Sequence, residues 1–238
     1  MRTMKILVTG ANGQLGSEMR ILAKDSADEF IFTDVNQVEG QETVFLDITD
    51  RQAIMHMVQE QGIDAIVNCA AWTNVDACET DPALAALAQR LNADAPENLA
   101  LAMKAVGGLL VHISTDYVYD GNADIPYKES DTPNPLNEYG RTKLAGDEAL
   151  KEIGCKYLIF RISWLYSPYG KNFLKTILNK SKEAPSISVV DDQTGTPTYA
   201  GDLVDAIFAA IESTPKPPEL TPEEETKETT PKAPEGTI

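Results

Sequence analysis

The chain has 238 residues, 42% hydrophobic and 24% charged, enough for one sizeable core and a small second lobe. Its 37 acidic residues outnumber 20 basic ones, for a formal net charge of −17, and a surface that negative repels phosphate backbones and anionic lipid, so neither nucleic-acid nor membrane-surface binding is expected. The chain lacks an apolar run of about 20 residues to span a membrane or a secretory leader ahead of Ile6, and its three cysteines (Cys69, Cys78, Cys155) are too few and scattered for a disulfide framework or metal site. A cytoplasmic location is therefore expected.

Apolar, β-rich runs then recur in chain order. Ile6-Leu7-Val8 comes first, and Thr9-Gly10-Ala11-Asn12-Gly13-Gln14-Leu15-Gly16 follows it at once and opens a helix. Phe30-Ile31-Phe32 leads to Asp34, and Val44-Phe45-Leu46 leads to Asp47 and Ile48. Ala65-Ile66-Val67 runs into Asn68-Cys69-Ala70-Ala71, and Leu109-Leu110-Val111 and Leu158-Ile159-Phe160 complete the set. The 3.6-residue periodicity predicts helices over about 50–61, 82–105 and 139–152. Apolar strands alternating with helices predict an α/β fold, a doubly wound parallel sheet of Rossmann type with helices on both faces and ligands beyond the strands' carboxyl ends. Residues 1–165 are expected to form an NAD(P)-binding domain, 166–212 a partial substrate-binding lobe, and 213–238 a disordered tail. That tail carries six Pro, six Glu and six Thr, too little apolar surface to offset the entropy of ordering.

Within the first turn, Gly10 allows the tight bend, Gly13 lets the main chain approach a pyrophosphate, and Gly16 lets the helix pack close to the sheet. The helix N-terminus offers unpaired amides to an anion. Asp34, 18 residues after Gly16, is placed to accept hydrogen bonds from adenosine ribose hydroxyls and would repel a 2′-phosphate. The pattern predicts a dinucleotide cofactor, NADH or NADPH, with Asp34 favouring NADH. Asp47 and Ile48 would flank the base, and the small residues Ala70 and Ala71 would let a cofactor lie against the backbone; ordinary strand-end packing is the alternative for both.

Tyr139 and Lys143 stand four residues apart in Tyr139-Gly140-Arg141-Thr142-Lys143, which on a helix puts a phenol and an ammonium on one face. A nearby cation lowers a phenol's pKa toward a range where it exchanges protons, so Tyr139 is predicted to protonate a carbonyl oxygen while the cofactor delivers hydride. Thr115, in Ser114-Thr115-Asp116, follows a strand at the ligand-binding edge and can donate to the same oxygen. Taken singly, a solvated helix face and a strand-capping hydroxyl would explain these residues.

Together the glycine turn, Ser114-Thr115-Asp116 and Tyr139–x3–Lys143 resemble an extended short-chain dehydrogenase/reductase. More narrowly, Ser114 to Gly121, Arg161-Ile162-Ser163-Trp164-Leu165-Tyr166 and Asp192 to Thr198 are similar to the dTDP-4-dehydrorhamnose reductase family. The resemblance spans residues 4–212 and implies NAD(P)H-dependent reduction of the C4 ketone of dTDP-4-dehydro-L-rhamnose. It also implies that Thr115, Tyr139 and Lys143 are catalytic and that Thr115, Asp116 and Trp164 contact the nucleotide-sugar. By the same resemblance Gly10, Asn12, Gly13, Gln14, Leu15, Gly16, Asp34, Asp47, Ile48, Ala70, Ala71, Trp72, Tyr139 and Lys143 meet the cofactor. Members of that family continue past the equivalent of Ile211, so an incomplete lobe is expected here. A homodimer is a further expectation. The dehydratases that resemble this family carry a second carboxylate where Tyr117 stands. Epimerases, and a non-catalytic regulatory subunit resembling that of methionine adenosyltransferase, remain alternatives.

Overall fold

The computed structural model describes residues 3–215. Six strands form one all-parallel sheet in the order β3-β2-β1-β4-β5-β6, built from β1 (Lys5–Thr9), β2 (Glu29–Asp34), β3 (Val44–Phe45), β4 (Ala65–Asn68), β5 (Leu109–Thr115) and β6 (Lys156–Ile162). The order reverses between β1 and β4, so the crevice beyond Thr9 and Asn68 is the topological switch point where this architecture takes ligands. Successive strand residues serve opposite faces. Ile6, Val8, Ala65, Val67, Leu109 and Val111 pack into one core, and Leu7, Ile66 and Leu110 into the other.

The first core is covered by α1 (Gln14–Leu22) and α8 (Ala200–Ser213), the second by α2 (Arg51–Gln61) and α5 (Ala95–Val106). Helix α2 starts where Asp50 accepts from the amides of Gln52 and Ala53 and stops at Gly62 in the left-handed region. The helical stretch expected over 82–105 is interrupted: α3 (Val75–Thr80) and α4 (Pro82–Gln89) lead into a π-helical turn at Arg90–Asp94 before α5. That turn presents Asn92, whose side chain bonds the backbone N–H and C=O of Trp72 and the Thr142 hydroxyl.

Helix α6 (Glu138–Ile153) begins with Asn137 accepting from Gly140 N and ends at Gly154 in the left-handed region. It lies unusually close to its neighbours. A Cβ at Gly140 would overlap the Tyr117 carbonyl oxygen, and one at Gly146 would overlap that of Asn92.

Beyond β6, the short strands β7 (Leu165–Tyr166) and β8 (Thr198–Tyr199) pair in parallel, and α7 (Phe173–Glu183) buries none of its residues. The segment expected as a lobe over 166–212 therefore divides. Ala200, Leu203, Val204, Ile207 and Ile211 recur at helical spacing and carry α8 back into the first core. Ser213 closes α8; the tail expected from there lies outside the described residues after Pro215. Because α6 depends on close approach to the π-turn, Gly146→Ala should cost about 1–3 kcal/mol in chemical denaturation. An unchanged unfolding midpoint would contradict that packing.

Candidate active site

The glycine turn bends at Gly10, whose φ is +63° and whose α-carbon sits against the Cys69–Ala70 backbone. Gly13 caps α1 with no side-chain hydrogen bond to the first-turn amides, which leaves donors directed at the crevice. Asn12 and Asp34 lock this turn to the end of β2. Asp34 Oδ2 accepts from Asn12 N at 3.1 Å, and Oδ1 accepts from Asn36 N at 2.9 Å. The Asn12 carboxamide receives Arg20 at 3.2 Å and the Thr43 hydroxyl at 3.1 Å, and the Arg20 guanidinium lies 4.3 Å over the Phe32 ring. An uncapped helix start, a glycine-containing turn and an acid at the next strand end fit the pyrophosphate and ribose of a dinucleotide.

Other residues expected at the cofactor divide by side chain. Leu15 packs in the first core and Ile48 in the second, both 4% exposed. Asp47 folds back on Thr49, and Gln14 accepts from Asn172 Nδ2 at 2.8 Å, tying the turn to the segment before α7. Ala71 is exposed and Ala70 half-buried. Trp72 turns into a small cluster with Cys78, Ala88, Tyr117 and Tyr139.

At the carboxyl end of β5, Thr115 is buried; its hydroxyl accepts from Tyr117 N and contacts Asp116 Oδ1, both at 3.2 Å. Tyr139, on the first turn of α6, is buried with its ring edge-on to Tyr117, centroids 5.7 Å apart. Burial pushes the phenol up to about 12, opposed by a hydrogen bond with Thr115. Burial also raises the Asp116 carboxyl, against its bond to Thr115. The sequence thus brings Thr115, Asp116 and Tyr139 into one constellation.

Lys143, one turn along, is 1% exposed. Its Nζ donates to Ile113 O at 2.6 Å and lies 3.3 Å from His112 Nε2. Burial pulls the ammonium down to about 8, against the attraction of Asp147. The expected lowering of the phenol by this amine is not found: burial dominates Tyr139, and the influences acting on it come from Thr115, Asp116, Tyr117 and Cys78. The physical reason is that the amine is held on a β5 carbonyl and has itself lost much of its preference for the charged form.

Trp164 has φ +47°, rare for a side-chain-bearing residue, and is 43% exposed. Gly195 packs against its indole, while Ser163 donates to Thr196 O and Thr198 donates to Ser163 O. These contacts fix the Thr194–Thr198 segment beside it. Sequence reading missed Arg20, Asn92, His112 and Asp147. Only Arg20 carried a usable signal, four residues after Gly16 on the helix leaving the turn.

With its folded value below the ordinary 10.5, Lys143 opposes folding while charged, so stability should rise as pH climbs from about 8 towards 10.5. Comparing thermal unfolding of the parent and Lys143→Met isolates this contribution. The variant's relative stability should fall by on the order of 2 kcal/mol across that window, and a pH-independent difference would contradict it.

Comparison with known proteins agrees with this architecture. The RmlD substrate binding domain family matches residues 4–222. The dTDP-4-dehydrorhamnose reductase of Salmonella typhimurium is 43% identical over 218 residues, covering 91% of this chain and 70% of the relative. That of Burkholderia thailandensis is 42% identical over 208 residues, covering 87% and 66%. Among solved structures, the Clostridium acetobutylicum dTDP-4-dehydrorhamnose reductase superposes with TM-score 0.80 at 44% identity, covering 88% of this chain and 70% of that one. The Bacillus anthracis dTDP-4-dehydrorhamnose reductase, solved in complex with NADP, gives 0.80 at 39%, covering 89% and 72%. The chain spans about two thirds of the length of these curated relatives. No helix among the described residues is long and apolar enough to cross a membrane. With the family model matching residues 4–222 and curated relatives 42% and 43% identical over most of the chain, the chain belongs to the RmlD family of dTDP-4-dehydrorhamnose reductases.

Proposed function

We propose that this chain reduces the C4 ketone of dTDP-4-dehydro-L-rhamnose to dTDP-L-rhamnose with NADPH or NADH, in cytoplasmic nucleotide-sugar synthesis for cell-surface polysaccharide. The observation that carries the reading is the convergence of Thr115, Asp116 and the buried Tyr139 phenol at the carboxyl end of β5, where Thr115 acts on the phenol against the effect of burial. This is the same carboxyl end of the sheet as the glycine turn, which follows β1 two strands away.

The cofactor, when bound, supplies hydride to the carbonyl carbon. Tyr139 holds its proton throughout the neutral range, because burial keeps the phenol near 12, and so presents an acid to the carbonyl oxygen. Thr115 donates to that oxygen and polarises the bond. One hydride and one proton make the alcohol, and solvent restores the phenolic proton. Asp34 accepts from the adenosine ribose hydroxyls, whereas Lys143, its amine held on the Ile113 carbonyl, reaches the nicotinamide ribose hydroxyls only by exchanging that contact. Asp116 and the exposed Trp164 face contact the sugar. Tyr117 after Asp116 leaves elimination without a second proton carrier, which favours reduction over dehydration.

The test follows nicotinamide absorbance with the full chain, NADPH and the dTDP-4-keto-sugar. Tyr139→Phe should lower kcat by about 10²-fold or more. Cofactor binding without turnover would sink the reductase reading and favour a nucleotide-binding regulatory subunit. Asp34→Ala should weaken NADH more than NADPH; equal losses would count against Asp34 as the ribose acceptor.

A further inference from the structure

Behind Lys143 lies a fully buried polar array that the reaction as described does not use. Thr9 Oγ1 donates to Asn68 Oδ1 at 2.7 Å, and Asn68 Nδ2 donates to His112 Nδ1 at 3.1 Å. His112 Nε2 then stands 3.3 Å from Lys143 Nζ and 4.0 Å from Asp147 Oδ1. The Asp147 side chain is fully buried, its Oδ2 accepts from Arg161 Nε at 3.1 Å, and its Oδ1 has no hydrogen-bond partner among the described residues. His112 is likewise 0% exposed. Burying an imidazole, an amine and a carboxylate together is costly unless each supports another.

We propose that His112, backed by the buried carboxylate of Asp147, is a positioning residue for Lys143: its imidazole holds the amine against β5 and accommodates it in both charged and neutral forms. The role in catalysis rests on the reductase reading. The hydrogen-bond logic needs two arrangements of the same atoms. With Asn68 Nδ2 donating, Nδ1 accepts, the imidazole proton sits on Nε2, and Nε2–H can donate only to a neutral amine. When the amine is charged it donates to Nε2. The imidazole proton then moves to Nδ1 and is donated to Asn68 Oδ1, and the turned carboxamide donates to the Thr9 hydroxyl. In each arrangement Thr9, Asn68, His112 and Lys143 all keep a hydrogen-bond partner, and no net charge is added to these four beyond that of the amine.

The titratable groups at this level of α6 are His112 from β5, Asp116 and Tyr117 after it, Cys78 and Glu79 from α3, Arg161 from β6, and Tyr139 and Asp147 on α6 itself. Of these, Asp147 is the one that offsets the burial of the amine, and the amine in turn disfavours an imidazolium at His112.

The test is a side-chain NMR titration of lysine in the isotope-labelled, cofactor-free full chain, with Lys143→Met assigning the signal. In the parent, Lys143 should titrate near 8. Because the bond the imidazole accepts from a charged amine is stronger than the one it donates to a neutral amine, His112→Asn, long enough to meet Asn68 but too short to reach Nζ, should lower that value by about one unit, a tenfold change in ionisation constant. His112→Gln, which can reach Nζ, should restore most of it, and Asp147→Asn should lower it as His112→Asn does. A Lys143 titration unmoved by His112→Asn overturns the proposal. If that variant does not fold by circular dichroism, an unmoved titration in Asp147→Asn overturns it instead. In turnover, His112→Asn should shift the basic limb of the kcat profile to lower pH with KM for the ketone unchanged, whereas lower kcat at an unshifted limb would mark a merely structural role. Shifted titrations in a chain that reduces nothing would refute the reductase reading alone; normal turnover with unmoved titrations would refute this proposal alone.

Discussion

The Lys143 amine donating to the Ile113 carbonyl is the contact on which the arrangement of the site depends. A cation with 1% of its surface exposed persists only where fixed acceptors replace water. Here they are a strand carbonyl, an imidazole and, one turn further along α6, a carboxylate. Meeting them requires α6 to lie hard against β5 and the π-turn, which is why Gly140 and Gly146 occupy its inner face. The same approach sets Tyr139 beside Thr115, so the depth of the amine and the position of the phenol are two results of one packing decision.

That depth also changes the electrostatic account. A helical turn between a phenol and an ammonium suggests a cation that acidifies its neighbour, but burial here works on both groups, raising one and lowering the other. A phenol that keeps its proton is fully in its acid form at neutral pH and, though a weaker acid than usual, can still protonate the more basic alkoxide oxygen that hydride transfer creates. An amine that titrates near 8 is suited to make and release hydrogen bonds.

The strands were legible because each is short, apolar and bounded by turn residues, and the glycine turn because its three glycines follow β1 without a gap. Tyr139, Lys143 and Thr115 could be placed from helix spacing and from a strand end. Sidedness was not legible: Leu15 and Ile48 belong to the core, and Lys143 reaches towards the sheet, since a four-residue spacing states which face of a helix is shared but not how deeply that face is buried. The break in the stretch 82–105 depends on Asn92 bonding Trp72 and Thr142, contacts distant in sequence. His112 reads as one polar residue inside an apolar strand, and its meaning exists only once β4 and α6 flank it. The periodic apolar residues of α8 were there to be read, but their partner face lies on α1 and β1, at the other end of the chain.

The most direct measurement of the central claim is label transfer in a single turnover. The full chain is mixed with NADPH deuterated at the transferring position of the nicotinamide and with dTDP-4-dehydro-L-rhamnose, and the product is analysed by mass spectrometry and NMR. The account predicts one deuterium on C4 of dTDP-L-rhamnose, in equal amount to the cofactor oxidised. Bound cofactor that stays reduced, or deuterium at any other carbon, would contradict it.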